Sequence, residues 1–475
     1  MKSSKLSTLL NAFNGHEFLL FKKFLASPYF NSKQEIIIFF EHLHSNLKKN
    51  KDLGTKEEAF KTVFSNEEYK SEKVVRLTSE LVGLVQQFFT TQEIRYNDFT
   101  SKKLYIDALS KRNLSDLFFS ESKKLVKQLE ASPNQNIHTQ LDLHLLIKEM
   151  HFYHDKLVSS KDLPSLIKAQ KKLDTFYLLS KLKISCETIC LQNTFNEHFD
   201  IPLLEEVKEL AEQWSDENNL FPLYLQTLRN IQVSADEASL ENLKALFFQN
   251  LSLLSKNEQL SILLLILNIN GMRINYGKSQ DIIGQFDLYK KGLENNILIV
   301  NDRMTPESFT NVVVLAVHLE DFKWAEKFMK KYANYLSTSI SEACITFCRG
   351  NIAFKKGAFD ETIRLLWNCK FDQLSFDIRT KSITVRALAE LFYEQPDKYE
   401  YCLGQILTIE KYIRRRKDLS ETKSNAYLNF IKTTKKIMNL KWKNKFNDSE
   451  IAKLKERVSA ESNIIGKTWL LEKLV

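Results

Sequence analysis

The stretch KVVRLTSELVGLVQQFF, residues 73–89, decides the fold class of this chain. Its apolar side chains recur at spacings of three and four residues and form one stripe, made by Val74, Leu77, Leu81, Leu84, Val85 and Phe88. This is the period of an amphipathic α-helix, which buries one face and exposes the other. The stretch therefore predicts a helix over residues 73–89.

The same periodicity continues along the rest of the chain. It recurs in residues 115–129, 141–157, 240–254, 309–335, 376–392 and 401–413. No stretch of the sequence shows the sustained two-residue alternation that is typical of a half-buried β-strand. We therefore expect an all-α protein of about 20 helices, each about 12–20 residues long and joined by short turns.

Glycine and proline are scarce in this chain of 475 residues, which has 11 glycines and 7 prolines. Sheet proteins need turn residues about every 8–12 positions, so the shortage excludes sandwiches, barrels and propellers. It also disfavours doubly wound α/β enzymes, whose phosphate loops use glycine. Each proline is expected where a helix begins or ends, because proline lacks the amide hydrogen that a helix interior needs.

A second stretch, RGNIAFKKGAFDETIRLL at residues 349–366, resembles the tetratricopeptide repeat, a pair of helices joined by a tight turn. Gly350 matches the small residue in the middle of the first helix, and Gly357 matches the turn. Phe359 matches the aromatic residue that opens the second helix, and Thr362 the small residue where the two helices cross.

The second-helix pattern recurs on either side of this stretch, with Ala325 upstream and Cys402 downstream at the crossing position. These residues lie 37 and 40 positions from Thr362, whereas the period of the family is about 34. The resemblance covers residues 311–406 and implies a degenerate repeat. We expect an α-solenoid of stacked antiparallel helix pairs, forming a right-handed superhelix that is tetratricopeptide-like in the C-terminal third.

Two loop-like stretches, residues 131–136 and 301–306, suggest how the chain is divided. We expect an N-terminal helical region over 1–130, a middle helical-repeat region over 131–304, and tetratricopeptide-like repeats with a basic C-terminal cap over 305–475. Within the first region, FKKFLASPYFN at residues 21–31 resembles the opening of an uncharacterised bacterial family of helical proteins. That resemblance implies no function.

The tetratricopeptide family usually holds a peptide on its concave face, which is made by the first helix of each pair. The matching positions in this chain are Phe347, Asn351, Phe354 and Lys355. Some members clamp a C-terminal carboxylate with Lys and Asn from successive repeats, but Val314 occupies the position equivalent to Asn351, which argues against such a clamp. The resemblance implies a non-catalytic scaffold that binds a peptide or a partner helix in a concave groove.

The positive charge of the chain is concentrated in residues 411–457. The whole chain has a net charge of +9, and this segment alone has 15 basic and 5 acidic residues. Cations interleaved with aromatic rings suit a phosphate backbone and stacked bases, so a nucleic-acid or ribosome-associated factor is the alternative function. A solvated cap of the repeat array is the preferred interpretation of this segment, and an anionic membrane surface is a further one. The candidate residues are Arg414, Arg415, Arg416, Lys432, Lys435, Lys436, Lys441, Trp442 and Lys443.

The sequence contains no recognisable catalytic or nucleotide-binding motif. It has neither a phosphate loop nor a dinucleotide fingerprint, and it has no nucleophile elbow. Its carboxylates are plentiful but form no placed acid/base pair. We therefore expect no enzyme activity and no cofactor.

Histidines and cysteines raise the question of a metal site. His144 and His151 share a helix face but lie about 10.5 Å apart along it, too far to bind one ion together. His151 with His154 or Asp155 would need a third ligand from another helix, and hydrogen bonds between helices are the preferred interpretation. The pairs Cys186/Cys190 and Cys344/Cys348 are expected to be core thiols. We expect no metal.

The longest apolar run, residues 260–267, is much shorter than the ~20 residues that cross a bilayer. The N-terminus lacks the uninterrupted apolar segment of a secretory signal. We therefore expect a cytoplasmic protein without membrane insertion, whose partner is a protein or peptide or, in the alternative, a nucleic acid.

Overall fold

The computed structural model describes residues 4–50, 52–153, 163–195, 199–232, 236–275, 281–369, 371, 374–416, 419, 421–461 and 463–474. The protein is 80% helical, and its described residues contain no β-strand. Val300 and Arg303 form an isolated bridge in a turn. The all-α class predicted from the apolar periodicity is confirmed.

Successive α-helices are joined by short connections. They are α1 (Lys5–Asn11), α2 (Gly15–Leu25), α3 (Gln34–Asn50), α4 (Lys56–Val63), α5 (Ser71–Tyr96), α6 (Asp98–Ser110), α7 (Ser115–Ala131), α8 (Ile137–His151), α9 (Leu163–Phe195), α10 (Leu204–Gln213), α11 (Leu220–Gln232), α12 (Glu237–Gln249), α13 (Lys256–Asn275), α14 (Asp281–Glu294), α15 (Pro306–His318), α16 (Phe322–Tyr332), α17 (Thr338–Lys355), α18 (Phe359–Trp367), α19 (Leu374–Glu394), α20 (Tyr399–Arg415), α21 (Glu421–Trp442), α22 (Asp448–Ala460) and α23 (Lys467–Glu472). Short 3-10 helices occupy Leu251–Leu253, Ala333–Tyr335 and Pro396–Lys398.

The details of helix placement agree with the sequence pattern. The residues of α5 that are buried are the six that form its predicted stripe. The seven prolines all lie in the first turn of a helix or in a connection beside one. None of the helices in the described ranges is both long enough and apolar enough to cross a membrane.

The chain forms two compact units. The first comprises Met1–Ser132 and Asp142–Lys171, and the second comprises Pro133–Leu141 and Lys172–Val475. The division into three regions stays a prediction.

The first unit begins with helices gathered around α5, rather than with stacked pairs. The helices α1, α2, α3 and α4 all contact α5, because its long apolar stripe offers enough surface for several neighbours. The ring of Phe88 lies 5.1–5.7 Å from the rings of Phe13, Phe21 and Phe24. A second core in this unit includes Ile106, Leu125 and Leu146.

In the second unit, each helix packs mostly against its neighbours in sequence. In addition, α15 contacts α17, α17 contacts α19, and α19 contacts α21. Contact between alternate helices is what stacked two-helix units produce, because each pair buries its apolar face against the next. The predicted solenoid and its right-handed superhelix stay predictions.

Two successive pairs, α15–α16 and α17–α18, share one type of turn. Glu320 and Gly357 each adopt a left-handed conformation, with φ of 62° and 77°. The next amide donates to the carbonyl five residues back, Asp321 to Ala316 and Ala358 to Ala353, at 2.9 Å in both turns. The 37-residue spacing read from Ala325 and Thr362 therefore holds for the backbone of the turn as well.

The predicted crossing residues occupy equivalent places in three helices. Ala325, Thr362 and Cys402 are each the fourth residue of a helix that starts with an aromatic residue, and each is fully buried. At Gly350 a β-carbon would lie only 2.4 Å from Cδ2 of Leu366, so the glycine permits the close approach of α17 and α18.

Candidate functional site

Phe347, the first predicted contact residue on α17, belongs to the core. It is fully buried, and its ring meets those of Phe371 and Phe376 edge-on. A side chain in that position supports the stack of helices and offers no surface to a partner.

The other three predicted residues of α17 lie nearer the surface but do not converge. Asn351 is half-buried, and its amide donates to the Phe347 carbonyl at 2.8 Å. The ring of Phe354 packs edge-on against Phe359 of α18. Lys355 is exposed, and its Nζ lies 3.2 Å from a carboxylate oxygen of Glu320 in the preceding turn.

An open groove of about 900 Å³ lies instead between α16, α17 and α18. Its apolar lining residues are Met329, Ala333, Ile345, Ile352, Ala353, Ala358 and Leu365, and its charged ones are Glu326, Lys330, Arg349, Lys356, Glu361 and Arg364. Four cations therefore face two carboxylates around an apolar floor. None of the four predicted residues lines this groove.

The charges around the groove are mostly free to meet a ligand. Arg349 and Lys330 are exposed, and no ion pair holds them within the described chain. Arg364 lies 3.8 Å from Glu361, and both are exposed, so this ion pair is weak. Lys356 lies over the ring of Phe322, 4.9 Å from its centre. The groove is therefore a surface of net positive charge with an apolar floor.

A smaller pocket of about 340 Å³ between α18, α19 and α20 contains a closed polar network. The Tyr412 hydroxyl donates to the buried carboxylate of Asp377 at 2.7 Å, and Arg416 Nη1 donates to the same hydroxyl at 2.7 Å. Burial raises the pKa of Tyr412, and the hydrogen bond to Asp377 raises it further, so the phenol stays protonated at neutral pH. Because each partner is satisfied, this network ties α19 to α20.

Several predicted cations of the basic segment are engaged within the chain. Arg414 and Lys435 both form ion pairs with Glu410. Burial acts to raise the pKa of Glu410, but hydrogen bonds from Lys435 and Arg414 outweigh it and hold that pKa below its usual value. Lys441 lies over the rings of Tyr393 and Phe446, at 4.4 and 4.8 Å.

The remaining predicted residues of this segment are more open. Arg415, Lys432, Lys436 and Lys443 are exposed, and Arg416 is the half-buried donor to Tyr412. Trp442 stacks on Tyr399 with ring centres 4.8 Å apart and a 6° angle, and remains 45% exposed. One face of the Trp442 ring is therefore covered by Tyr399 and could not stack on a nucleic-acid base.

Histidines form no metal centre in the described part of the chain. His144 is hydrogen-bonded through Nδ1 to the Ala169 carbonyl at 2.8 Å, an interhelix bond of the kind expected. His151 is buried, and its ring meets Phe152 edge-on. His154 and Asp155 lie outside the described residues. No three His, Cys, Asp or Glu residues in the described ranges are grouped as a metal would require.

The six cysteines are all buried, and none of them forms a disulfide. Burial raises the pKa of Cys344 to about 12 and that of Cys369 to about 11. A thiol that stays protonated is a poor nucleophile and a poor metal ligand, so these side chains act as small apolar residues of the core.

Sequence reasoning missed two arginines of α19. Arg379 and Arg386 are half-buried, and neither forms an ion pair with any described carboxylate. Their seven-residue spacing places them on one face of the helix, and this spacing was the only feature of the sequence that could have identified them. Single arginines in an apolar helix carry little information until their surroundings are known.

Comparison with known proteins does not assign the chain to a family. No family model matches the chain, and neither the curated proteins nor the solved structures include a match.

Proposed function

We propose that this protein is a non-catalytic interaction scaffold, and that its second unit binds an amphipathic helix of a partner protein. The observation that carries the proposal is the groove of about 900 Å³ between α16, α17 and α18. A tetratricopeptide-like, right-handed solenoid is part of this proposal. It is supported by the two equivalent turns and by the contacts between alternate helices.

The lining of the groove suggests which helix it would receive. Grooves that bind helices offer an apolar floor to the apolar stripe of the partner and charged rims to its flanks. Here the floor includes Ile345, Ile352 and Met329, and the rims have four cations and two carboxylates. A partner helix with acidic residues beside its apolar stripe would complement both features.

The test uses a displayed library of amphipathic 20-residue helices, selected on the full chain. Affinities of the selected peptides are then measured by fluorescence anisotropy. We expect peptides with acidic flanks to be enriched. Ile345→Glu should weaken their binding at least tenfold, because it places a charge on the half-buried apolar floor.

The matched control is Leu407→Glu, which places the same charge at an exposed apolar position of α20. This variant should bind the selected peptides as the wild type does. Equal affinity of the wild type and Ile345→Glu would contradict the groove as the binding site.

The nucleic-acid alternative stays a prediction, and no contact of the described residues specifically favours it. It predicts RNA binding that falls steeply with salt and that is lost in Lys432→Glu/Lys436→Glu. RNA binding with those properties, in the absence of peptide binding, would replace the proposal.

A further inference from the structure

The guanidinium of Arg379 is held among aromatic rings and lacks an anionic partner. It lies 5.5 and 5.6 Å from the ring centres of Phe347 and Phe376, and Nη2 donates to Asn311 Oδ1 at 3.1 Å. No carboxylate of the described chain forms an ion pair with it. The cation is therefore positioned by neutral groups from α15 and α17 as well as from its own helix.

Arg386 follows seven residues later on the same face of α19. Its guanidinium lies 5.7 Å from the ring centre of Phe430, and its buried Nε has no hydrogen-bond partner. A β-carbon on Gly466 would lie 2.9 Å from Nη2, so the glycine leaves room for the guanidinium. No ion pair or hydrogen bond with a described residue holds this side chain, which packs against the Phe430 ring.

This arrangement contrasts with another buried arginine of the same unit. Arg273 is paired with Asp281 through Nε at 2.7 Å, and both side chains are less than 10% exposed. A buried charge normally needs such a partner, because desolvation is costly. Arg379 and Arg386 therefore lack the carboxylate partner that Arg273 has, and Nε of Arg386 also lacks a hydrogen bond.

Tyr427 of α21 is an electrostatic neighbour of both arginines. Burial raises the pKa of its hydroxyl, while the charges of Arg379 and Arg386 both act to lower it, so the hydroxyl lies within electrostatic reach of each guanidinium. The neighbouring Asn311 and Tyr289 are uncharged and hydrogen-bonded to each other at 3.4 Å. The surface therefore combines two fixed cations with neutral hydrogen-bonding groups.

We infer that Arg379 and Arg386 form an anion-binding site for two carboxylates of an acidic peptide segment. Guanidinium groups bind carboxylates through paired, charge-assisted hydrogen bonds, which would give both arginines a carboxylate partner. The Cα atoms of the two arginines lie about 10.5 Å apart along the axis of α19, because a helix rises about 1.5 Å per residue. An extended peptide spans that distance in about three residues.

The charge pattern favours a peptide over a nucleic acid. A phosphate backbone is best matched by a continuous row of exposed cations. This site has two recessed cations, and the carboxylates of Glu307 and Glu472 act on them from nearby. A ligand with few, spaced charges fits that environment better than a polyanion does.

The test measures binding of the full chain to a fluorescein-labelled decapeptide with glutamate at every third position. The matching glutamine decapeptide and an oligothymidylate of the same length are the comparison ligands. We expect the glutamate peptide to bind at least tenfold more tightly than either. Arg386→Gln should lose at least tenfold in affinity while its thermal unfolding temperature stays unchanged or rises, because the partly buried cation that it removes forms no ion pair.

Three variants make the result specific. Arg415→Gln removes an exposed cation of α20 and should leave the affinity unchanged. Arg379→Gln should also weaken binding of the glutamate peptide at least tenfold, which covers the case in which Arg386→Gln does not fold. Ile345→Glu should bind the glutamate peptide normally, so this site and the groove between α16, α17 and α18 can fail separately.

Each of three outcomes would overturn the inference. They are equal affinity for the glutamate and glutamine peptides, an equal loss in Arg415→Gln and Arg386→Gln, or tighter binding of the oligothymidylate.

Discussion

The helix pairs α15–α16 and α17–α18 have the same backbone turn but fill it with different residues. At the left-handed position the first pair has Glu320 and the second has Gly357. In the preceding helix, 37 residues apart, the first pair has the fully buried Val313 and the second has Gly350. The comparison shows that a repeat can keep its backbone geometry while its sequence motif disappears, because side-chain volume is set by each local crossing.

The largest effect on stability is expected for Val313→Gly, which places in the first helix pair the glycine that the second pair has at the equivalent position. The variant loses a fully buried valine, worth about 2 kcal/mol, and adds a helical glycine, which costs about 1 kcal/mol. The free energy of unfolding should fall by about 3 kcal/mol in urea denaturation. Val314→Gly, at the half-buried next position, is the control and should lose clearly less. If both variants lost the same free energy of unfolding, the burial of Val313 would not contribute to stability beyond the cost of a helical glycine.

The reverse exchange, Gly350→Val, should also destabilise the chain, by about 1–3 kcal/mol. Its β-carbon would lie 2.4 Å from Leu366 Cδ2, so α17 and α18 would have to separate. The double variant Gly350→Val/Leu366→Ala provides space and should recover part of the loss. If Gly350→Val alone unfolds at the same urea concentration as the wild type, the close crossing is not a requirement of the fold.

The left-handed position of the turn predicts that two substitutions change the free energy of unfolding in opposite directions. Gly357→Ala should lose about 1 kcal/mol, because a side chain is strained at its φ of 77°. Glu320→Gly should gain up to about 1 kcal/mol, since it relieves the same strain at φ 62°. Thermal and urea unfolding of both variants measure the difference. The same sign for both would contradict the equivalence of the two turns.

Much of this repeat could be predicted from the sequence because its determinants are local. Gly357 marks the turn by its conformation, and Ala325, Thr362 and Cys402 lie where the aromatic-initiated pattern places them. The turn before α20 differs, because Pro396 begins a 3-10 helix there. Glu320 carries no sequence signal for a left-handed residue, so the equivalence of the first turn was visible only in the backbone.

The candidate site was less predictable because it depends on contacts between helices. The register of α17 identified Phe347 as a contact residue, but Phe371 and Phe376 enclose it from beyond that helix. The groove between α16, α17 and α18 draws its residues from all three helices. Likewise, Arg379 is unusual only because no described carboxylate pairs with it, which is a property of the surrounding helices.

The smallest expected effect concerns the ion pair that connects the two helix pairs. Lys355 at the end of α17 lies 3.2 Å from Glu320 in the turn of the first pair, with both side chains partly exposed. Exposed pairs are screened by solvent, so Lys355→Ala should cost about 0.5 kcal/mol or less. A double-mutant cycle with Glu320→Ala, at low salt and at about 1 M salt, isolates the coupling. The coupling should vanish at high salt. A coupling energy that persists at high salt would show that Lys355 and Glu320 interact through more than a screened ion pair. The turn of the first helix pair and α17 would then be joined more strongly than this surface contact allows.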